Sequence, residues 1–315
     1  MKHINLLLVC LVLSACASRG GVPQVPVDMT LKQVTPHVWY VQGVAGIATD
    51  NHGFISNSVV IETADQVVVF DALGTPALAK MLLAQIKEKI GKPVTRVYAS
   101  HYHADHVFGL QAFKEQGAKI YGPEGAQKYI FSEGAENRLN ERRKSLAPWV
   151  NAETRLLAPD VYIKEDETVT LGGVDIEVKT FGSAHSHADL ALYVKQDAVL
   201  ISGDLIFAGR IPFVGGNEIA HWIAKLDELR EIPAKWVIPG HGAAFQDKAQ
   251  GMSLTRNYLT FLYKGMKGAV DNMLSFDESY KALDWSEFSS LPAFDRANRG
   301  NAYRIFLAEE AASLN

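Results

Sequence analysis

The chain is poor in cysteine: among 315 residues only Cys10 and Cys16 occur, both near the start. Everything beyond residue 16 therefore lacks a disulfide, a thiolate metal ligand and a cysteine nucleophile. Excess charge of one sign is also missing. Lysine and arginine number 31 against 35 aspartates and glutamates, a formal net charge of −4, without the basic footprint of a nucleic-acid binder. Past the opening segment no apolar run approaches membrane-spanning length. What is abundant is apolar content, 48% of all residues. A chain of roughly 300 residues with that content buries a large core as one α/β domain, alone or with a helical extension.

The opening segment has its own logic. Lys2 and His3 precede a run from Ile4 to Leu13 that is apolar except for Asn5, followed by Ser14-Ala15-Cys16. A basic start, a short apolar stretch and small residues describe a secretory signal over residues 1–15. Leu13-Ser14-Ala15-Cys16 resembles a bacterial lipobox, which implies lipid on Cys16 and a membrane attachment of the exported protein. Ala17 in place of aspartate implies, by the same resemblance, the periplasmic face of the outer membrane in a Gram-negative source. Residues 16–30, with Gly20, Gly21, Pro23 and Pro26, then read as a lipidated flexible tether.

The rest of the chain alternates strand and helix signals. Val38-Trp39-Tyr40-Val41, Ser58-Val59-Val60-Ile61-Glu62 and Val67-Val68-Val69-Phe70 read as strands, the last covered on both faces and ending at Asp71. Pro76 opens a helix over 77–90, with Met81, Leu82, Ile86 and Ile90 on one side, and Gly91 and Pro93 stop it. Residues 93–98 form the strand that delivers His101. The same order returns: residues 198–201 run into Gly203-Asp204, a helix covers 218–229, and residues 235–240 deliver His241. Asp and His are 30 residues apart in the first half and 37 in the second. Two such halves meeting face to face bring both histidine-bearing edges to one rim.

Between the halves, residues 121–147 are polar and helical, and the charged stretch 136–144 reads as a solvated helix face. Residues 161–178 read as a hairpin turning through Leu171-Gly172-Gly173. Beyond Phe245 helices follow over 254–266, 280–283 and 302–312. The expected organisation is a domain over 31–250 with a helical C-terminal extension of the same domain over 251–315.

The densest chemistry lies at the turn His101-Tyr102-His103-Ala104-Asp105-His106, between a strand and a helix over 107–116. The carboxyl edge of an α/β sheet is where ligands bind. His101 and His103, two apart in an extended segment, reach one metal ion; Asp105 and His106 face a second. Imidazole and carboxylate without sulfur suit Zn²⁺ or a first-row neighbour, iron or manganese among them. His241 adds a donor flanked by Gly240 and Gly242, which let the backbone come close to an ion.

The pattern H-x-H-x-D-H resembles the hallmark of the metallo-β-lactamase superfamily, which implies an α/β fold of four layers, an αβ/βα sandwich, and a metal-dependent hydrolase. The family segment of a ligand histidine, then Ser or Thr, with Asp four residues after the histidine, falls on His185, Ser186 and Asp189. His187 is the rival there, read as a pocket-wall residue able to meet substrate. Asp204 matches the carboxylate that bridges two metals in hydrolases resembling glyoxalase II. The implied set is His101, His103 and His185 on one zinc, and Asp105, His106 and His241 on the other, with Asp204 between. Asp71 and Asp189 are expected to support ligands through hydrogen bonds. His37, His52 and His221 are read as structural.

A zinc pair lets a metal-bound hydroxide exist near neutral pH, with Asp105 orienting it and passing its proton to the leaving group. The expected activity is hydrolysis of an ester, thioester or lactam-like bond in a small molecule at the cell envelope. Residues 203–216 and 237–242 also resemble the zinc metallohydrolases of quinoprotein relay systems, also called sulfur-oxidation-type. That implies one alternative, an accessory metallohydrolase serving a periplasmic quinoprotein dehydrogenase or sulfur-oxidising system. A second alternative is a true metallo-β-lactamase. An iron redox enzyme on this scaffold would resemble flavodiiron proteins, but no flavodoxin-like segment is present. Arg210, just past Asp204, is a candidate to hold an anionic group of the substrate.

Overall fold

Alternation along a single strand shows how the layers arise. Val67 and Val69 enter one hydrophobic core while Val68 and Phe70 enter another, because successive side chains of a strand leave opposite faces. The structure, a computed structural model, describes residues 24–215 and 219–314; the leader, Cys16 and residues 17–23 of the tether lie outside the described residues.

The first sheet runs in spatial order β1 (Lys32–Gln33), β2 (Val38–Val41), β3 (Ser58–Glu62), β4 (Val67–Phe70), β5 (Val94–Tyr98), β6 (Lys119–Pro123) and β7 (Val161–Ile163). Its neighbours are antiparallel up to β4 and parallel from β4 to β7. The second sheet contains β8 (Glu167–Leu171), β9 (Val174–Gly182), β10 (Asp189–Val194), β11 (Val199–Phe207) and β12 (Trp236–His241), with β12 beside β11 and the others following in reverse order. Only β11 and β12 are parallel there. Two of the parallel pairs, β4 with β5 and β11 with β12, carry the Asp and His of the two halves.

Helices α1 (Pro76–Lys89), α2 (Ala104–Val107) and α3 (Leu110–Glu115) belong to the first half, and α4 (Gln127–Ile130) and α5 (Glu133–Ser145) follow it. Helices α6 (Ile219–Glu231), α7 (Lys248–Asp271), α8 (Phe276–Ala282) and α9 (Phe294–Ser313) belong to the second half and the C-terminal extension. Leu78, Leu82 and Ile86 of α1 pack with Val67, Val69 and Val97 of the first sheet. Trp222 and Leu226 of α6, Leu259 and Leu262 of α7 and Ile305 of α9 pack with Leu200 and Val237 of the second. Val59, Ile61, Leu190, Leu192 and Ile201 fill the space between the sheets. The layers are therefore helix, sheet, sheet, helix, as expected. Each such fully buried aliphatic side chain contributes about 1.5–3 kcal/mol relative to exposure.

Three local expectations change. Val161–Ile163 pairs with β6 in the first sheet, and the hairpin through Gly172-Gly173 instead joins β8 to β9. The helix over 107–116 breaks into α2 and α3 at Phe108-Gly109. There Gly109 lies against the Ala72 carbonyl, and a β-carbon would come within 2.7 Å of Ala79 Cβ, so only glycine lets the chain approach β4. Asp204 sits within β11, just past the register shift at Gly203.

Candidate metal centre

Strand β4 ends at Asp71, which adopts the left-handed region (φ 67°), as does Leu73, a conformation that costs a bulky residue energy. The surrounding backbone holds it: Asp71 N–H donates to Tyr98 O at 2.9 Å, Ala72 N–H to His106 O at 2.7 Å, and Gly109 N–H to Leu73 O at 3.1 Å. The histidine turn is thereby tied to the end of β4. The carboxylate of Asp71 then accepts from Ser100 N–H at 2.7 Å, from Ser100 Oγ at 2.8 Å and from His106 Nδ1 at 2.8 Å.

These bonds fix proton positions. Ser100 Oγ gives its hydrogen to Asp71, so at 2.8 Å it accepts from His101 Nδ1. The Nδ1 hydrogens of His101 and His106 are committed outward, and their Nε2 lone pairs face inward. His241, the last residue of β12, donates Nδ1–H to Ile55 O at 2.7 Å and stacks on Phe207 at 4.9 Å between ring centroids. Its Nε2 also faces inward. Asp189 accepts from Ala184 N–H at 3.2 Å and Ser186 N–H at 2.9 Å, shaping the loop that presents His185. Asp71 and Asp189 thus each hydrogen-bond a segment that carries a donor histidine.

The inward atoms converge. His103 Nδ1 lies 3.0 Å from His101 Nε2 and 2.9 Å from His185 Nε2. His241 Nε2 lies 3.3 Å from Asp105 Oδ2, and His106 Nε2 lies 3.6 Å from the same oxygen. Asp204 touches both groups: Oδ2 is 3.3 Å from His185 Nε2 and from His241 Nε2, and Oδ1 is 3.1 Å from His106 Nε2. The seven residues expected as ligands therefore form two adjacent donor sets, His101–His103–His185–Asp204 and Asp105–His106–His241.

The set fits a divalent cation. Tetrahedral ligation at about 2.0–2.1 Å separates nitrogen donors by about 3.3 Å, close to the spacings observed. His106 Nε2 and Asp204 Oδ1 are buried 3.1 Å apart as an ion pair without hydrogen-bond geometry, an arrangement of donors that an ion between them would satisfy. Burial holds His101 well below the usual imidazole range and lowers His103 to about 4 and His185 to about 3, so their lone pairs are free of protons at neutral pH. Burial also pushes His106 and His241 down, but carboxylates led by Asp204 outweigh it and raise both. The carboxylates demand positive charge at that end of the cluster.

A cavity of about 640 Å³ opens over the donors, lined by His103, Asp105, Asp204 and His241 as well as Ile47, Tyr129 and Phe213. His187 is exposed on its wall and lies outside both donor sets. Arg210 also lines it; the residue is 5% exposed, Nη1 has no hydrogen bond, and Nε donates to Ile211 O at 3.2 Å. Sequence reasoning missed Arg138, Arg142, Arg296 and Arg304, all on the cavity wall. The stretch 136–144 is thus not solely a solvated face. The four-residue spacing of Arg138 and Arg142 and the eight-residue spacing of Arg296 and Arg304 were the available signal, since each pair shares a helix face. His37 pairs with Asp197 at 2.7 Å, His52 packs on Trp149 at 4.7 Å, and His221 meets Phe181 O at 3.4 Å, all outside the cluster.

The fold and the donor cluster together define a protein equipped to hold metal at the rim between two sheets. The sequence profile of the metallo-beta-lactamase superfamily matches residues 52–241, and the chain belongs to that superfamily. It is similar to the metallo-beta-lactamase type 2 of Bacillus sp. (strain 170), 23% identical over 192 residues, which make up 59% of this chain and 66% of that protein. The metallo-beta-lactamase from Pontibacter korlensis superposes with a TM-score of 0.60 at 22% identity, over 74% of this chain and 99% of that one. The sec-alkyl sulfatase PisA1 superposes with a TM-score of 0.67 at 19% identity, over 90% of this chain and 50% of that one. The chain thus spans just under two thirds of the Bacillus protein and half of the sulfatase chain, and the likeness to the two solved structures is one of fold.

Proposed function

We propose that the protein is a dinuclear zinc hydrolase that cleaves an ester, thioester or lactam-like bond of a small molecule. The observation that carries this reading is Asp204, whose two oxygens face donors of both sets. His101, His103 and His185 would hold one zinc, and Asp105, His106 and His241 the other, with Asp204 between. A bound pair of this kind supplies Lewis acidity and water acidified to a pKa of about 7.

The chain's own residues do the rest. Burial raises Asp105, but His106 and His241 outweigh it and hold the carboxyl well below the usual range. It therefore stays ionised. Both histidine contacts use Oδ2, which leaves Oδ1 to take a proton from the attacking water and return it to the leaving group. Asp71, through Ser100 and His106, keeps the ligand rings in one tautomer while charge develops.

The lipobox-like segment supports an exported, lipid-anchored protein at the periplasmic face of the envelope. The resemblance of residues 203–216 and 237–242 to quinoprotein-relay metallohydrolases supports service to a periplasmic dehydrogenase system. The test is a screen of the zinc-loaded protein on thioester, lactone, β-lactam and phosphoester substrates, repeated with Asp105→Asn. Turnover of an acyl substrate that drops about 10²–10⁴-fold in the variant, with both metals retained, is the expected result. Undiminished turnover in Asp105→Asn sinks the mechanism. The Bacillus relative bears the name of a β-lactamase, so a chromogenic cephalosporin belongs in the screen as the competing reading.

A further inference from the structure

The cavity over the donors is lined by five arginines: Arg138 and Arg142 of α5, Arg210 after β11, and Arg296 and Arg304 of α9. Among the described residues its only acids are Asp105 and Asp204, which the hydrolase reading commits to metal. Arg138 and Arg142 share one exposed carboxylate, Glu141, at 3.3 and 3.5 Å. Arg296 has no ion pair among the described residues, and buried Arg210 leaves Nη1 without a hydrogen bond. The wall is therefore positive before any metal binds.

Arg304 is the best-positioned member. Its Nη1 donates to Val214 O at 3.0 Å and to Asn301 Oδ1 at 3.4 Å, and the guanidinium lies 4.9 Å over the ring of Phe213. Phe213 in turn meets the His103 ring edge-on at 5.7 Å. One aromatic ring thus separates the guanidinium from the donor cluster. Burial holds Arg304 below its usual range, and repulsion from Arg138 adds to this. Two guanidinium groups that repel one another, with no acid but Asp105 and Asp204 among the described lining residues, are stabilised by an anion between them. The guanidinium fork suits a carboxylate or another planar or tetrahedral oxyanion.

We propose that the cavity selects substrates carrying an anionic group about one aromatic ring away from the scissile bond, with Arg304 and Arg138 as its anchors. This rests on the hydrolase reading and divides the determinant of substrate class between α5 and α9 of the C-terminal extension. The apolar surface of Ile47, Tyr129 and Phe213 receives the hydrocarbon between the anion and the reacting carbonyl.

The test uses the full zinc-loaded chain and two hydrolysis-resistant amides of similar shape, anionic succinanilic acid and neutral butyranilide, in titration calorimetry. The acid should bind about ten- to hundredfold tighter, and Arg304→Gln and Arg138→Gln should each remove about tenfold of that preference. Arg296→Gln, at an exposed position, should weaken the acid by less and keeps the test valid if Arg304→Gln fails to fold. Equal affinity for the two amides overturns the proposal. So does a preference for the acid that survives in the variants, because the carboxylate would then be binding metal alone. In parallel, the kcat/KM ratio of monophenyl succinate to phenyl butyrate is compared in the same proteins and should fall with the binding preference. If neither ester turns over while the arginine-dependent binding persists, the hydrolase reading falls and the anion site stands.

Discussion

Gly240 yields its side-chain space to Asp204: a β-carbon there would lie 2.7 Å from the Asp204 backbone nitrogen and would also run into Oδ1. The residue before His241 therefore sets how closely β11 and β12 bring their donors together. Gly240→Ala is expected to destabilise the fold by about 1–3 kcal/mol through overpacking and to lower metal content. Urea denaturation and elemental analysis read the two effects. A variant with full metal stoichiometry would show that β12 has room to shift.

Asp71 anchors two ligands at once, His106 directly and His101 through Ser100. Asp71→Ala should cost about 10–100-fold in metal affinity, measured by competition with a chromophoric chelator. Both donor sets should weaken, since one carboxylate orients a histidine in each. Loss confined to one set would argue against the hydrogen-bonded route through Ser100.

Metal removal should lower thermal stability as well as activity. A ligand present at 100 times its dissociation constant adds about 2.7 kcal/mol to the folded state. Dialysis against a chelator is expected to lower the calorimetric melting temperature by several degrees, and zinc should restore both melting temperature and turnover. A melting temperature indifferent to zinc would mean the donors do not bind it in the folded protein.

Burial pushes the Asp189 carboxyl up to about 7, against backbone donors that pull it down. An unfolded chain ionises this group near 3.9. Between about pH 4 and pH 7 the unfolded state loses the proton while the folded state keeps it, so the residue's contribution to stability falls as pH rises and levels off above about 7. Asp189→Asn removes that dependence. The stability of the variant relative to the parent should therefore rise from pH 5 to pH 8 in urea melts. A difference that is constant with pH would contradict the assignment.

The donors were legible because they sit at strand edges in a short, unusual cluster. His101 to His106 lie within one turn, and Asp204 and His241 repeat the strand–Asp, helix, strand–His order of the first half. The four layers were implied by the resemblance of that cluster to the superfamily hallmark, and Val67–Phe70 read as a strand covered on both faces. Partners far apart in sequence were not legible. Val161–Ile163 sits next to a hairpin in sequence but joins β6, some 40 residues earlier. Arg138 and Arg142 have the periodicity of a solvated face, and nothing local reveals that α9 lies across the cavity from them. The break at Gly109 depends on the position of Ala72, which local periodicity does not encode.

Asn57 takes a hydrogen bond from Gly43 N–H at 3.0 Å and gives two to Pro239 O and Gly242 O at 2.8 Å, while its own N–H reaches Gly240 O at 2.8 Å. One amide side chain stitches the amino-terminal half to the loop bearing His241. Neither half owns a complete cage, so ion capture reports that the halves have closed on each other. His101 and His103 wait on His185 and Asp204, and Asp105 and His106 wait on His241, so each donor set is complete only when both halves have folded together. Loading is thereby a late checkpoint on assembly.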